Sequence, residues 1–154
     1  MVGPAYLLDV NALLALLWPT HEHHVKVSTW FRADANRRWT TCPITQTGFI
    51  RLASNRTVTP DAVSVREALD LLVANLRHPG HVFCPDDLDI KSALSLCGGR
   101  LQGYRQVTDA YLLGIAIQHK AHLVTLDGGI TQLLPIASRN SNRVIHLLDK
   151  APRN

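Results

Sequence analysis

Apolar residues along the chain occur in short runs that polar turns separate, and the runs have two characteristic lengths. Residues 5–10 are apolar without alternation, as in a parallel strand that is covered on both faces. Residues 12–18 form a longer apolar segment, which predicts a helix that ends before Pro19. Residues 39–43 and 45–54 then repeat the order of a strand followed by a helix.

The middle of the chain predicts further elements of the same two kinds. Pro60 and Asp61 are expected to begin a helix that runs to about Arg77, because proline and acidic residues favour the first helical turn. Three other elements are predicted: a helix over 24–36, a short strand over 82–84, and a helix that starts at Asp86 and Asp87 and ends near residues 98–99.

The clearest helix covers residues 108–119, where the apolar residues share one stripe. Thr108 is expected to be its N-cap, which places Asp109 in the first turn. The remaining predicted elements are a strand over 122–126 that ends at Asp127, a turn at Gly128 and Gly129, and a last strand over 144–148. The alternation of strands and helices predicts an α/β domain with a mostly parallel sheet.

Three acidic residues stand at the ends of these predicted elements. Asp9 and Asp127 fall at the carboxyl ends of strands, and Asp109 falls at the start of a helix. In a parallel sheet these ends lie on one edge, which is where ligands bind. A single aspartate at the end of a strand or the start of a helix is commonly a cap or turn residue. The hypothesis of a common site therefore depends on all three acids falling at the same edge of the sheet.

Carboxylates that meet in apolar surroundings need a partner of opposite charge. Two of them about 5 Å apart repel by roughly 3 kcal/mol at an effective dielectric near 20, and no lysine or arginine lies beside them in the sequence. Mg²⁺ or Mn²⁺ would relieve this repulsion. Such an ion suits hydrolysis of a phosphodiester by activated water, which would leave a 5′-phosphate and a 3′-hydroxyl.

Composition and charge are consistent with this hypothesis. The 154 residues are 46% apolar and 18% charged, which predicts one globular domain over residues 1–154. The net charge of +4 fits a nucleic-acid partner but does not require one. Three cysteines without C-x-x-C spacing predict reduced thiols. The apolar residues 6–18 are too short and too polar for a signal peptide or a membrane span, so we expect a cytoplasmic protein without membrane association.

Four segments carry a more specific signal: LLDVNALLAL at 7–16, TQTGFIR at 45–51, VTDAYLL at 107–113 and LVTLD at 123–127. In this order they resemble the four motifs of PIN domains, and most closely those of the VapC-type toxins of bacterial toxin–antitoxin pairs. The resemblance implies a three-layer α/β/α fold and an Mg²⁺- or Mn²⁺-dependent endoribonuclease. It also implies that Asp9, Asp109 and Asp127 are the catalytic metal ligands, with a cognate antitoxin and a homodimer as protein partners.

One position departs from the family pattern, because Gln46 stands where most PIN nucleases have a glutamate. An amide oxygen can coordinate an ion or hold a water, but it brings no charge. Asp86 or Asp87 is a candidate to supply the missing charge, although a helix start explains both acids more simply. The departure favours the alternative hypothesis of a catalytically weakened PIN-like module that binds RNA or protein.

Four further residues are candidates around the acids. Asn11 is either a helix N-cap or a neighbour of the metal site. Thr108 and Thr125 are candidates to orient a carboxylate or a metal-bound water, and Arg51 to contact a phosphate. A phosphohydrolase of the haloacid-dehalogenase type is ranked low, because D-x-D-x-T is absent after Asp9.

Overall fold

The computed structural model describes residues 3–97, 103–134 and 141–148. Five strands form its central sheet in the order β3-β2-β1-β4-β5, and all neighbouring strands are parallel. The strands are β1 (Ala5–Leu8), β2 (Arg38–Thr41), β3 (His81–Phe83), β4 (His122–Thr125) and β5 (Val144–His146). The predicted parallel sheet is therefore confirmed, and each strand begins or ends within a few residues of its predicted position.

Among the described residues, six α-helices cover the sheet. They are α1 (Val10–Leu17), α2 (His24–Arg32), α3 (Pro43–Ala53), α4 (Val65–Leu76), α5 (Ile90–Ser95) and α6 (Val107–Gln118). Leu7 and Leu8 point to opposite faces of β1 and are both fully buried. Leu8 packs with the apolar residues of α1 to α4, whereas Leu7 packs with those of α6 and with Cys97, which follows α5. The structure is thus a three-layer α/β/α fold, as the family resemblance implies.

Two helices begin later than the sequence predicts. The helix expected from Pro60 begins at Val65, because Ser64 caps it and forms a reciprocal capping box with Glu67. Asp61 instead accepts hydrogen bonds from Trp18 Nε1 at 2.9 Å and from Thr20 Oγ1 at 2.8 Å. The expected start at Pro60 and Asp61 is therefore wrong.

The helix expected from Asp86 and Asp87 begins at Ile90, where the Asp89 side chain caps the amide of Ser92 at 2.9 Å. Asp87 is bound elsewhere, with its Oδ1 2.8 Å from Nε2 of His119. The start predicted at 86–87 is wrong, and the end predicted near residues 98–99 lies outside the described residues.

Two predicted N-caps are also wrong. α6 follows a 3₁₀ turn over Tyr104–Gln106, so that Thr108 is already its second residue and not its cap. Asn11 is the second residue of α1, whose cap is Asp9. Asp109 does lie in the first turn of α6, as expected.

Two glycines let helices approach closely. A Cβ on Gly114 of α6 would lie 2.7 Å from the carbonyl oxygen of Ala93 in α5. A Cβ on Gly48 of α3 would lie 2.5 Å from Cγ2 of Val10 in α1. Both distances are far below ordinary contact. A side chain at position 114 would meet backbone and push α5 and α6 apart, whereas one at position 48 would require the Val10 side chain to shift.

The sequence predicts reduced thiols, and the structure has the three cysteines free and also buried. Burial raises the pKa of the Cys84 and Cys97 thiols to about 11, which makes them poor nucleophiles at neutral pH. Of the helices that the structure describes, none combines the length and apolarity needed to cross a membrane.

Candidate active site

The carboxyl ends of β1 and β4 place two of the predicted acids side by side. Leu8 pairs with Val124 in the parallel register, and the amide of Asp9 donates to the Val124 carbonyl at 2.9 Å. Asp9 therefore leaves the sheet directly beside Thr125, two residues before Asp127. This edge position follows from the apolar runs, which make β1 and β4 neighbouring buried strands.

Asp9 is a buried carboxylate with an exposed fraction of only 4%. Its Oδ1 accepts a hydrogen bond from the amide of Ala12 at 2.7 Å, which caps α1. Burial raises the pKa of Asp9 to about 6, although the hydrogen bonds from Thr125 and Ala12 oppose the rise. The charges of Asp109 and Asp127 raise the pKa further.

The other two acids belong to the same electrostatic cluster. Asp109 is half-buried in the first turn of α6, and its pKa is raised to about 6 by burial and by the charge of Asp127. Asp127 is exposed, and its Oδ1 accepts from the amide of Gly129 at 2.8 Å. The three carboxylates thus lie within reach of one another's charge at one edge of the sheet.

Thr125 connects two of these acids. Its fully buried hydroxyl hydrogen-bonds the Asp9 carboxylate, and its Oγ1 accepts from the Asp127 amide at 2.9 Å. The hydroxyl therefore fixes the orientation of both the Asp9 side chain and the Asp127 backbone.

The donor set of this cluster suits a hard divalent cation. Carboxylate oxygens are the preferred ligands of Mg²⁺ and Mn²⁺, and none of the ion pairs among the described residues neutralises Asp9, Asp109 or Asp127. In the described parts of the chain, however, no three His, Cys, Asp or Glu side chains are gathered closely enough to hold a metal ion. Side-chain rotation would be needed to bring the three carboxylates to one point.

Gln46 is held by neighbours other than the acids. Its Nε2 donates to Thr41 Oγ1 at 3.0 Å, and Thr41 Oγ1 lies 2.8 Å from Nε2 of His81. Burial and the charge of His78 lower the pKa of His81, which favours a neutral ring that can accept from Thr41. Because the Gln46 amide nitrogen is committed to Thr41, its carbonyl oxygen is the end left to face other groups.

The remaining predicted residues gather around one cleft. Asn11, Arg51 and Thr108 line a cavity of about 700 Å³ between α1 and α3, which we call the α1–α3 cleft. Asp86 also lines it, whereas Asp87 pairs with His119. The structure therefore separates the two acids that were candidates for the missing charge.

Two polar residues of this cleft are not among the candidates that the sequence indicates. Thr47 and Asn55 line it together with Arg51, and the three follow one another at intervals of four along α3 and its end. That spacing places polar side chains on one face of a helix. The spacing is a sequence signal for the polar face of α3, but it does not by itself reveal the cleft.

Comparisons with known proteins agree with this architecture. The sequence matches the PIN domain family over residues 6–133. It is 44% identical over 128 residues to ribonuclease VapC38 of Mycobacterium tuberculosis (strain ATCC 25618 / H37Rv), which covers 82% of this chain and 88% of the relative. It is 40% identical over 124 residues to ribonuclease VapC44 of the same strain, which covers 80% and 87%.

A solved structure supports the fold alone. The structure of FitAB bound to a DNA fragment superposes with a TM-score of 0.60 and covers 97% of this chain and 99% of that chain. The sequence identity is 15%, so this likeness extends to architecture and not to activity.

Proposed function

The chain belongs to the PIN domain family, in its VapC-type group, and from this premise we propose that it is a metal-dependent endoribonuclease, the toxin of a toxin–antitoxin pair. One observation carries the proposal: Asp9, Asp109 and Asp127 lie at one edge of the sheet, where burial and the charge of neighbouring acids raise the pKa of Asp9 and of Asp109 to about 6. The names of the ribonuclease relatives support RNA as the substrate.

Asp9, Asp109 and Asp127 would hold the ion, which we propose to be Mg²⁺ or Mn²⁺. When bound, such an ion polarises a phosphate oxygen and lowers the pKa of a water. The reaction is an in-line attack of water on a backbone phosphate, which breaks the bond between phosphorus and O3′ and leaves a 5′-phosphate and a 3′-hydroxyl. The three acids are proposed as the catalytic residues.

Other side chains position these groups. Thr125 hydrogen-bonds the Asp9 carboxylate and is proposed to hold it in place. Asn11 lies two residues after Asp9 and Thr108 directly precedes Asp109; both line the α1–α3 cleft, where they are proposed to contact RNA or its bound water. Arg51 is proposed to bind a phosphate, and Gln46 to offer its amide oxygen in place of the usual carboxylate.

The partners and setting follow from the VapC resemblance. We propose a cognate antitoxin that covers the site, a homodimer, and a cytoplasmic protein that acts as one PIN-like domain over residues 1–154. The net charge of +4 supports an RNA substrate, because a basic surface attracts the phosphate backbone.

Cleavage of total bacterial RNA by purified, antitoxin-free protein tests the proposal. The wild type is incubated with Mg²⁺, with Mn²⁺ or with EDTA, beside Asp9→Asn and Asp70→Asn variants. Asp70 is an exposed acid of α4 paired with Arg66 at 3.6 Å, so its variant controls for loss of one negative charge. We expect discrete fragments from the wild type and from Asp70→Asn in either metal, and none from Asp9→Asn or in EDTA.

The neutral Gln46 favours a second candidate function, a PIN-like module that binds RNA without cutting it. If the wild type is as inert as Asp9→Asn in both metals and still binds RNA, the nuclease proposal fails and the binding module takes its place. If Asp9→Asn cuts as well as the wild type, the activity belongs to a contaminating nuclease.

A further inference from the structure

Gln46 is the last member of a hydrogen-bonded chain that begins on the edge strand β3. Nε2 of His81 lies 2.8 Å from Oγ1 of Thr41, and the same oxygen accepts from Nε2 of Gln46 at 3.0 Å. Thr41 is fully buried at the end of β2, whereas His81 and Gln46 are half-buried. The chain therefore links side chains of β3, β2 and α3.

The register of the sheet holds the His81 ring in place. Trp39 pairs with His81 in the parallel ladder, and their ring centroids are 4.7 Å apart. Trp39 and Thr41 are two residues apart on β2, so both point to the same face of the sheet. His81 is thus fixed between a buried ring and a buried hydroxyl, and its place does not depend on a loop.

The hydrogen-bonding capacity of Thr41 gives the chain a direction. A threonine hydroxyl has one proton to donate and two lone pairs that accept. The NH₂ group of Gln46 uses a lone pair, which leaves the hydroxyl proton for His81. Nε2 of His81 can accept it when the ring is neutral with its proton on Nδ1. Burial and the charge of His78 lower the pKa of His81, which favours the neutral ring.

This direction decides which end of the Gln46 carboxamide is turned away from Thr41. While the hydroxyl proton points to His81, Thr41 offers Gln46 only a lone pair, which the NH₂ group alone can use. If His81 did not accept, the hydroxyl proton could turn to Gln46, and the carboxamide could then bind it through oxygen. The NH₂ group would face outward in that case, and it repels a cation.

The chain ends close to the acid cluster. Thr41 continues the register of β2 with β1, which places it beside Leu8, the residue before Asp9. Because an amide has no net charge, it can serve a cation only when its oxygen points to the ion. The orientation of Gln46 therefore matters more than that of a carboxylate, which presents an oxygen at either end.

We infer that His81 is a positioning residue for the metal site: through Thr41 it turns the Gln46 carboxamide so that oxygen, and not NH₂, is available to the ion. This role rests on the proposed nuclease function, in which the Gln46 oxygen stands in for the usual carboxylate. His81 itself touches neither the ion nor the RNA.

NMR of the metal-free protein at neutral pH tests the orientation without any cleavage. The measured quantity is the rate at which the Gln46 side-chain NH₂ protons exchange with water. His81→Phe keeps an aromatic ring beside Trp39 but has no acceptor, and Thr41→Val removes the hydroxyl, which Thr41→Ser retains. His122→Phe is the matched control, because His122 begins β4 as His81 begins β3.

We expect slow exchange of the Gln46 NH₂ protons in the wild type, because they donate to a buried oxygen. Exchange should become about tenfold faster in His81→Phe and in Thr41→Val, as loss of one hydrogen bond allows. Thr41→Ser and His122→Phe should exchange as the wild type does. Wild-type exchange in His81→Phe would overturn the positioning role.

Calorimetric titration with Mn²⁺ in the absence of RNA tests the consequence for the metal site. His81→Phe should raise the Kd for Mn²⁺ about five- to tenfold, whereas His122→Phe should leave it unchanged. In a Gln46→Met background, which has no carboxamide, His81→Phe should have no further effect. An equal loss of affinity in both backgrounds would show that His81 acts on the site through structure alone, which contradicts the positioning role.

The positioning role and the proposed nuclease can fail separately. The expected exchange rates and Mn²⁺ affinities without cleavage of RNA by the wild type would reject the nuclease and retain the role of His81. Metal-dependent cleavage with no coupling between His81 and Gln46 would do the reverse. A wild type that binds no Mn²⁺ would overturn both. Thermal denaturation of each variant excludes unfolding as the cause of a change.

Discussion

The hydroxyl of Thr125 hydrogen-bonds the carboxylate of Asp9 across the junction of β4 and β1. The contact is completely buried, and the same oxygen accepts from the Asp127 amide at 2.9 Å. A single hydroxyl thus ties together the two strand ends that carry acids. It also opposes the effect of burial, because it stabilises the charged form of Asp9.

A Thr125→Val variant is therefore expected to raise the pKa of Asp9 above its present value of about 6. Valine keeps the shape of threonine but donates no hydrogen bond, so the charged carboxylate loses a stabilising partner. In the metal-free protein, the titration of Asp9 followed by NMR of its side-chain carboxyl carbon should move up by about one pH unit. Thr125→Ser keeps the hydroxyl and serves as the control. An unchanged Asp9 titration in Thr125→Val would show that the Thr125 hydroxyl does not stabilise the charged carboxylate.

The raised pKa of Asp9 also predicts how the metal-free protein responds to pH. Its ordinary value is 3.8 and its folded value is about 6, so the folded state binds more protons than the unfolded state between these values. The contribution of Asp9 to the free energy of unfolding in EDTA should therefore fall as pH rises from about 4 to about 6. The loss attributable to Asp9 amounts to at most about 3 kcal/mol at neutral pH.

Urea denaturation of wild type and Asp9→Asn at several pH values isolates this contribution. Asparagine cannot be charged, so the difference in stability between the two proteins should grow in favour of Asp9→Asn as pH rises. The lowered pKa values of Asp61, Glu67 and Asp89 act in the opposite direction but are common to both proteins, so they cancel. A constant difference across the range would contradict the prediction.

Gln46→Glu is expected to lower the Mn²⁺ concentration needed for half-maximal cleavage by about tenfold, because it adds a negative charge to the ligand set. The new carboxylate cannot donate to Thr41 as the Gln46 amide does, but it can accept from the Thr41 hydroxyl. Titration of Mn²⁺ in the cleavage assay measures the change, and Gln46→Met serves as a neutral control of similar length. An unchanged half-saturation would place residue 46 outside the metal site.

The fold and the grouping of the acids could be predicted because both depend on which strands are buried and parallel. The pattern of apolar residues indicates those strands. The uninterrupted runs at β1 and β4 identify buried parallel strands, and residues that follow such strands meet at one edge. Asp9 and Asp127 could therefore be placed together without knowledge of any loop. Their catalytic roles stay predictions that mutation has to test.

The helix starts were harder to predict, because several polar residues compete for each cap. Asp61 is an acidic residue at a position where acids favour the first turn of a helix. Its carboxylate instead accepts hydrogen bonds from Trp18 and Thr20, which are distant in the chain, so the local sequence does not reveal these contacts. The sequence does contain the correct signal for the start of α4, because Ser64 followed by Glu67 has the spacing of a capping box. The α1–α3 cleft depends on how closely α3 approaches α1 at Gly48, which spacing alone does not fix.

Gly114→Ala tests the close approach of α5 to α6, the helix that carries Asp109. Alanine normally stabilises a helix by up to about 1 kcal/mol relative to glycine, but here its Cβ would lie 2.7 Å from the Ala93 carbonyl oxygen and 2.9 Å from its Cα. Backbone atoms cannot move aside as a flexible side chain can, so the two helices must separate. We expect a net loss of about 1–3 kcal/mol in urea denaturation. Gly103→Ala, where the new Cβ would meet nothing within 4 Å, should leave stability nearly unchanged. If Gly114→Ala proved more stable than the wild type, helix propensity would outweigh packing, and the close contact between α5 and α6 would not exist in solution.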